Sequence, residues 1–142
     1  MAQPQPDGCL ALPSAGKGPG VLVLHPWWGL NDTMKVLCRR LASEGFIAFA
    51  PDLYHGKVAT TIKDAVSLSS GLKNEQAKAD IADAVAFMRE HAGVASQRLG
   101  VIGFSLGAYY ALGLSIDDPK VTTQAPESKV MGYCLHSILL MG

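Results

Sequence analysis

The chain alternates between short segments that are apolar at nearly every position and longer segments whose apolar residues recur with helical spacing. Continuous apolar runs are typical of strands buried on both faces of a sheet, and apolar positions three or four residues apart are typical of helices. Strands are predicted at residues 21–25, 46–50, 99–103 and 130–135. Helices are predicted between them, at residues 32–44, 62–72, 75–91 and 106–116.

Local signals and the order of the elements predict the architecture. Asn31 or Asp32 can cap the first helix, and Gly45 is placed to end it. Strands that alternate with helices predict an α/β fold, with a doubly wound, mostly parallel sheet and helices on both faces. Residues 1–142 are interpreted as one domain, in which residues 1–17 form an irregular lead-in. Ligands of such sheets bind beyond the carboxyl ends of the strands, so the residues directly after each strand are the candidates for function.

The third predicted strand runs directly into a Gly-x-Ser-x-Gly sequence, Gly103-Phe104-Ser105-Leu106-Gly107, and a helix follows. This strand–turn–helix context is the one in which a nucleophilic serine projects above a sheet. The glycines allow the turn to be tight, and the helix amino terminus favours developing negative charge. Ser105 is therefore predicted as the nucleophile, and the N–H of Leu106 as one oxyanion donor. The alternative is a Gly-Ser turn that only caps the helix.

The first predicted strand is followed by the loop His25-Pro26-Trp27-Trp28-Gly29-Leu30. Acyl transfer needs a second oxyanion donor from a neighbouring loop, and the N–H of Trp27 is the candidate because Pro26 has none. The two tryptophans can equally pack over the sheet, which is compatible with that role. His25 is interpreted as a strand-end histidine with a structural hydrogen bond, since the base of this enzyme class follows the nucleophile in the chain.

Charge and composition exclude several other classes of protein. Twelve basic residues balance twelve acidic ones among the 142, and no basic stripe is present, so a nucleic-acid partner is not expected. No charged segment followed by an apolar one suggests a signal peptide, and no apolar run is long enough to span a membrane, so a cytoplasmic location is predicted. The three widely spaced cysteines are interpreted as free thiols and not as a disulfide or a metal site. No Gly-x-Gly-x-x-Gly follows the first strand, which argues against dinucleotide binding.

Taken together and in order, these motifs resemble the dienelactone hydrolase family. The resemblance rests on the strand and tryptophan loop from Gly18 to Leu30, on Leu41-Ala42-Ser43-Glu44-Gly45-Phe46, on Ala50-Pro51-Asp52-Leu53-Tyr54-His55-Gly56, and on the turn at Ser105. It implies an α/β-hydrolase fold and a carboxymethylenebutenolidase-like activity, in which an ester or lactone is cleaved through an acyl-enzyme. It also implies that neither a metal nor an organic cofactor takes part.

Two positions depart from the pattern of that family. Its members usually carry a nucleophilic cysteine where this chain has Ser105, and many carry a glutamate where this chain has Pro26. A serine is a weak nucleophile until a base removes its proton, whereas a thiol is partly ionised already. The two changes together predict a plainer serine-esterase chemistry and leave the substrate open.

The base and the acid of a catalytic triad are not evident after Ser105. Asp117 and Asp118 directly follow a predicted helix of about 11 residues, or about 16 Å, that leads away from the site, so they are interpreted as solvated loop carboxylates. His136 follows the fourth predicted strand; it is either the base or an incidental strand-end residue. The family's histidine follows the last strand of its sheet, so this sequence is expected to be truncated at its carboxyl end and to lack the family's acid, base and last strands. A sheet edge exposed in this way can pair with a second copy to form a homodimer.

Four aromatic residues near the predicted site suggest an apolar mouth for a small-molecule ester or lactone: Trp27, Trp28, Tyr54 and Phe104. Packing is the alternative for each of them. A different class of function is also left open, namely an α/β-hydrolase-like protein that has lost catalysis and binds a small ligand or a partner chain. A histidine able to reach Ser105 is the feature that separates the two hypotheses.

Overall fold

The apolar segments form the centre of one mixed sheet in a computed structural model of the protein, which describes residues 4–123. The strands are β1 (Gly8–Ala11), β2 (Gly18–Leu24), β3 (Ile47–Pro51), β4 (Val94–Gly103) and β5 (Val121–Thr122). Their order across the sheet is β1-β3-β2-β4-β5. Neighbouring strands run parallel, except that β1 is antiparallel to β3.

Helices cover both faces of this sheet. They are α1 (Asp32–Ser43), α2 (Ile62–Gly71), α3 (Asn74–Glu90) and α4 (Leu106–Asp117). Side chains alternate between the faces of a strand, so Val21 and Val23 pack with α1 on one face, while Leu22 and Leu24 pack with α3 and α4 on the other. The prediction of a doubly wound, mostly parallel sheet is confirmed.

Short polar signals fix the ends of the helix that precedes β3. The side chain of Asn31 accepts a hydrogen bond from the N–H of Met34 at 3.2 Å and so caps α1. At the other end Gly45 adopts a φ of 98°. The N–H of Phe46 then bonds the carbonyl of Leu41 at 3.1 Å, as in a Schellman motif. Both predicted signals, Asn31 and Gly45, act as expected and deliver the chain into β3.

The structure differs from the sequence prediction at both margins of the sheet. Residues 8–11, predicted within an irregular lead-in, form β1 and pair with β3 in the register Gly8 to Pro51. Val121 and Thr122, which lie outside the predicted strands and helices, form β5 beside Leu99 and Gly100. Both strands are short and lack a periodic pattern of their own, so pairing with the central strands makes them strands.

The predicted strand at residues 130–135 and His136 lie outside the described residues. Among residues 4–123, β4 pairs with β2 at residues 101–103, and its described pairs with β5 are Leu99 with Val121 and Gly100 with Thr122. The predicted homodimer contact at this margin stays a prediction. Within residues 4–123, no helix combines the length and the apolar character needed to cross a membrane.

Candidate functional site

Ser105 lies in a strained turn between β4 and α4. Its φ of 54° and ψ of −109° are unusual for a residue with a side chain, and Ser105 is one of two non-glycine residues with positive φ in the described part of the chain. The residue is exposed to solvent. Its side chain makes no capping hydrogen bond to α4, which argues against a serine that serves only as a helix cap. Strain of this kind persists only where the surrounding structure holds it.

Two glycines permit the turn. A side chain on Gly103 would collide with the backbone of Gly107 and Ala108. A side chain on Gly107 would collide with the carbonyl group of Leu24 and would lie 2.9 Å from the carbonyl oxygen of His25. The predicted reason for the Gly-x-Ser-x-Gly spacing, steric exclusion around the serine, therefore holds. The same contact places the first turn of α4 directly against the end of β2.

The loop that follows β2 is a tight turn. The N–H of Gly29 donates to the carbonyl of Pro26 at 3.0 Å, and Gly29 has a φ of 96°. The rings of Trp27 and Trp28 meet edge to face with centroids 5.8 Å apart, and both residues are partly exposed. The two tryptophans pack on one another without being buried, so the packing interpretation and a surface role remain compatible.

The two predicted oxyanion donors both have free N–H groups in the described part of the chain. Neither the N–H of Trp27 nor that of Leu106 has a hydrogen-bond acceptor among residues 4–123. Unpaired backbone donors are uncommon where a chain packs closely, and two on adjoining loops suit a developing oxyanion. Their role in catalysis stays a prediction.

His25 is held inside the protein and is not available as a base. The residue is fully buried, with Nδ1 at 2.8 Å from the Pro26 carbonyl oxygen and Nε2 at 3.0 Å from the N–H of Leu53. Burial lowers the pKa of the imidazole, and the hydrogen bond to Pro26 only partly offsets this effect. The prediction of a structural hydrogen bond for His25 is confirmed.

The other two described histidines are also engaged away from Ser105. The imidazole of His55 lies between two carboxylates, at 3.1 Å from Asp7 and 2.8 Å from Asp80. Both hydrogen bonds raise the pKa of His55, and the bond with Asp7 has the larger effect. His91 accepts a hydrogen bond from the N–H of Gly93 at 3.0 Å. Thus no histidine within residues 4–123 is hydrogen-bonded to Ser105, and His136 lies outside that range.

Tyr54, predicted at the mouth of the site, is buried beneath it. It is 7% exposed, its ring centroid is 4.9 Å from that of His25, and its hydroxyl donates to the carbonyl of Trp27 at 2.9 Å. Burial raises the pKa of Tyr54 to about 12. Phe104 is half-buried and packs against the α1 face of the core. Of the four predicted aromatic residues, Tyr54 is buried, whereas Trp27, Trp28 and Phe104 are partly exposed.

Asp52 was not predicted as a functional residue, yet it shapes the loop after β3. Its carboxylate accepts from the N–H of Tyr54 at 3.1 Å and from the N–H of Gly56 at 2.7 Å. The Pro51-Asp52 pair directly after a strand is the signal that could have indicated this turn. Asp118, interpreted from sequence as solvated, is instead bound by Arg89 at 2.7 Å. In the described part of the chain, no three side chains of the metal-ligating types cluster together.

A mostly parallel sheet covered on both faces, with a strained serine turn at the carboxyl end of a central strand, defines an α/β-hydrolase fold. The sequence model of the dienelactone hydrolase family matches residues 7–126, and the chain belongs to this family. The resemblance inferred from the motifs is thus confirmed.

The chain is also similar to curated proteins and to solved structures. "Protein usf" of Aquifex pyrophilus is 42% identical over 106 residues, which are 70% of this chain and 46% of that protein. A protein of Aquifex aeolicus named "Putative carboxymethylenebutenolidase" is 34% identical over 110 residues, 73% of this chain and 48% of that protein. The structure of a "Putative Dienelactone Hydrolase" from Klebsiella pneumoniae matches with a TM-score of 0.64 at 24% identity, over 92% of this chain and 56% of that one. The chain thus spans about half the length of the curated relatives it matches.

Proposed function

We propose that this chain carries the nucleophile and the oxyanion donors of a serine hydrolase that cleaves a carboxylic ester or a lactone. The observation that carries the proposal is the exposed Ser105, held at positive φ between β4 and α4 by two glycines that tolerate no side chain. Membership of the dienelactone hydrolase family supports the same chemistry.

The proposed reaction follows from the atoms in the turn. The Ser105 hydroxyl oxygen attacks the carbonyl carbon of the substrate while a base takes its proton, and the carbonyl oxygen becomes an oxyanion. The free N–H groups of Leu106 and Trp27 bind that oxyanion, and the amino terminus of α4 adds its dipole. Collapse of the tetrahedral intermediate breaks the ester bond: the base gives its proton to the leaving oxygen, and the acyl group stays on Ser105. Water then attacks the acyl group, which restores the serine; with a lactone, the leaving hydroxyl remains part of the product.

The base and the acid are proposed to come from outside residues 4–123. The three described histidines have other partners, and the matched segment covers only 46% of the Aquifex pyrophilus relative. His136 stays the candidate within the sequence itself. The partly exposed Trp27 and Trp28 favour a substrate with an apolar or aromatic portion.

Labelling with a fluorophosphonate tests the proposal, because this probe reacts only with an activated serine. We expect one adduct on the protein, located to the peptide that contains Ser105 by mass spectrometry, and none on Ser105→Ala. A folded wild-type protein that stays unlabelled would refute the hydrolase. It would favour the other hypothesis, a binding protein that keeps the fold and has lost catalysis.

A further inference from the structure

A buried chain of hydrogen bonds ends on the peptide group between Pro26 and Trp27. The N–H of Leu53 donates to Nε2 of His25 at 3.0 Å, so Nε2 is the acceptor and the ring proton of neutral His25 is on Nδ1. Nδ1 then donates to the carbonyl of Pro26 at 2.8 Å. The ring is fully buried, so water does not compete for either bond.

That carbonyl belongs to the same planar unit as the N–H of Trp27. No cis peptide bond occurs in the described residues, so the Trp27 N–H points opposite to the Pro26 carbonyl. The carbonyl is fixed twice, by His25 and by the N–H of Gly29 at 3.0 Å. Fixing the oxygen fixes the direction of the N–H, and a donor on the carbonyl also polarises the peptide and strengthens that N–H as a donor.

The next peptide group is held as well. The buried hydroxyl of Tyr54 donates to the carbonyl of Trp27 at 2.9 Å. Both peptide groups that flank Trp27 are therefore anchored through their carbonyls, whereas the N–H of Trp27 keeps no partner among residues 4–123. If the loop were anchored only for stability, the N–H of Trp27 would not need to stay unpaired between the two fixed carbonyls of Pro26 and Trp27.

We propose that His25 is a positioning residue that aims the Trp27 N–H at the substrate oxyanion, with the Tyr54 hydroxyl as its second support. The inference rests on the proposed function, since it assigns a role within that site. The alternative is that His25 only connects two loops. In that case the hydrogen bond from Leu53 stabilises the fold, and the hydrogen bond to Pro26 has no part in catalysis.

Two substitutions distinguish these roles, because each keeps only one of the two hydrogen bonds of the imidazole. His25→Asn places an amide N–H near the position of Nδ1 and retains the donor to Pro26. His25→Gln reaches the position of Nε2 and retains an acceptor for Leu53. We expect the rate constant of Ser105 phosphonylation to stay within about threefold of wild type in His25→Asn and to fall about 10- to 100-fold in His25→Gln. Equal losses, or the reverse order, would overturn the proposal.

Tyr54→Phe and Tyr110→Phe form a matched pair. Both tyrosines are buried and both lose a short hydroxyl bond, since the Tyr110 hydroxyl lies 2.7 Å from Asn74. We expect Tyr54→Phe to slow labelling of Ser105 about fivefold, a smaller effect than the loss of an oxyanion donor would have. Tyr110→Phe should be labelled at the wild-type rate. An equal effect of the two would speak for general loosening of the fold and against the positioning role.

A second measurement decides the inference even if wild-type Ser105 is not labelled, an outcome that refutes the proposed function itself. The ¹⁵N shift of the Trp27 amide depends on hydrogen bonding at the Pro26 carbonyl of the same peptide. We expect this resonance to move in His25→Gln and to stay near its wild-type position in His25→Asn. An unmoved Trp27 amide in both variants would refute the positioning role independently of activity.

Discussion

The guanidinium of Arg89 donates two hydrogen bonds to the carboxylate of Asp118, one of 2.7 Å from Nη1 and one of 3.1 Å from Nη2. The pair joins the last turn of α3 to the end of α4, at the opposite end of α4 from Ser105. Both side chains are mostly shielded from solvent, with exposures of 20% and 26%. Such forked geometry is the arrangement in which an ion pair contributes measurably to stability.

We predict that Asp118→Asn lowers the free energy of unfolding by about 1 kcal/mol at pH 7. The hydrogen bond from Arg89 is the main cause that lowers the pKa of Asp118 below its ordinary value. A lowered pKa stabilises the fold above the unfolded value of about 4, and this contribution is lost as the pH falls through the folded pKa. Urea unfolding at pH 7 and pH 3 should show the difference shrink in acid. Asp117→Asn, at the exposed neighbouring position, is the control and should change little.

Two glycines in α4 should respond in opposite ways to alanine. Gly107→Ala forces a methyl group into the carbonyl of Leu24, so we expect a loss of about 3 kcal/mol or more, or failure to fold. Gly113 faces open space, and alanine there should stabilise the helix by up to about 1 kcal/mol. Thermal unfolding of both variants measures the contrast. A tolerated Gly107→Ala would contradict the close contact between α4 and β2.

The backbone strain at Ser105 should be measurable as stability. Glycine adopts positive φ without steric cost, so Ser105→Gly is expected to stabilise the protein by about 1 kcal/mol or more. Ser105→Ala keeps the strain and should unfold at nearly the wild-type temperature. Calorimetry of the three proteins tests the prediction, and equal stability of the glycine and alanine variants would show that the turn is not strained.

His25 should make the fold sensitive to acid. Burial lowers its folded pKa below the unfolded value of about 6.5, so the unfolded chain takes up a proton that the folded protein does not. Stability is therefore expected to fall as the pH drops below about 6.5. His25→Asn cannot titrate, and its free energy of unfolding should depend less on pH between 6.5 and the acid limit. Parallel slopes for the two proteins would contradict a neutral, buried His25.

His55 should have the opposite effect. Asp7 and Asp80 raise its folded pKa, so its contribution to stability is complete below about 6.5 and is lost as the pH rises through the folded pKa. His55→Asn keeps a residue that tolerates the φ of 51° and removes the charge. We expect this variant to melt at a lower temperature than wild type at pH 6 and at the same temperature at pH 9. Added salt should narrow the difference at pH 6, because His55 is half exposed.

Residues that act through local rules were visible in the sequence. Continuous apolar runs predict the central strands. Asn31 and Gly45 predict the ends of α1, because their caps depend on neighbouring residues only. The turn at Ser105 is equally local, since its two glycines and the helix after it lie within a few residues of one another. These features needed no knowledge of the rest of the chain.

Contacts between distant residues were not visible in the same way. β1 and β5 are strands because a central strand lies beside them, and no pattern in four or two residues reveals that. The sequence left two roles open for Tyr54, at the mouth of the site or in packing, because local sequence does not show that its hydroxyl bonds a carbonyl 27 residues away at 2.9 Å. The pairing of Arg89 with Asp118 across 29 residues belongs to the same class.

The antiparallel β1 has a consequence for the order in which the sheet can be assembled during synthesis. β1 is synthesised before its partner β3, which ends at Pro51, so this pair can form only once residue 51 has been made. The later strands among residues 4–123, β4 and β5, lie on the far side of β2. Among the described strands the sheet therefore grows in one direction: β1, β3 and β2 can pair first, and the serine turn forms on the side to which β4 and β5 are added.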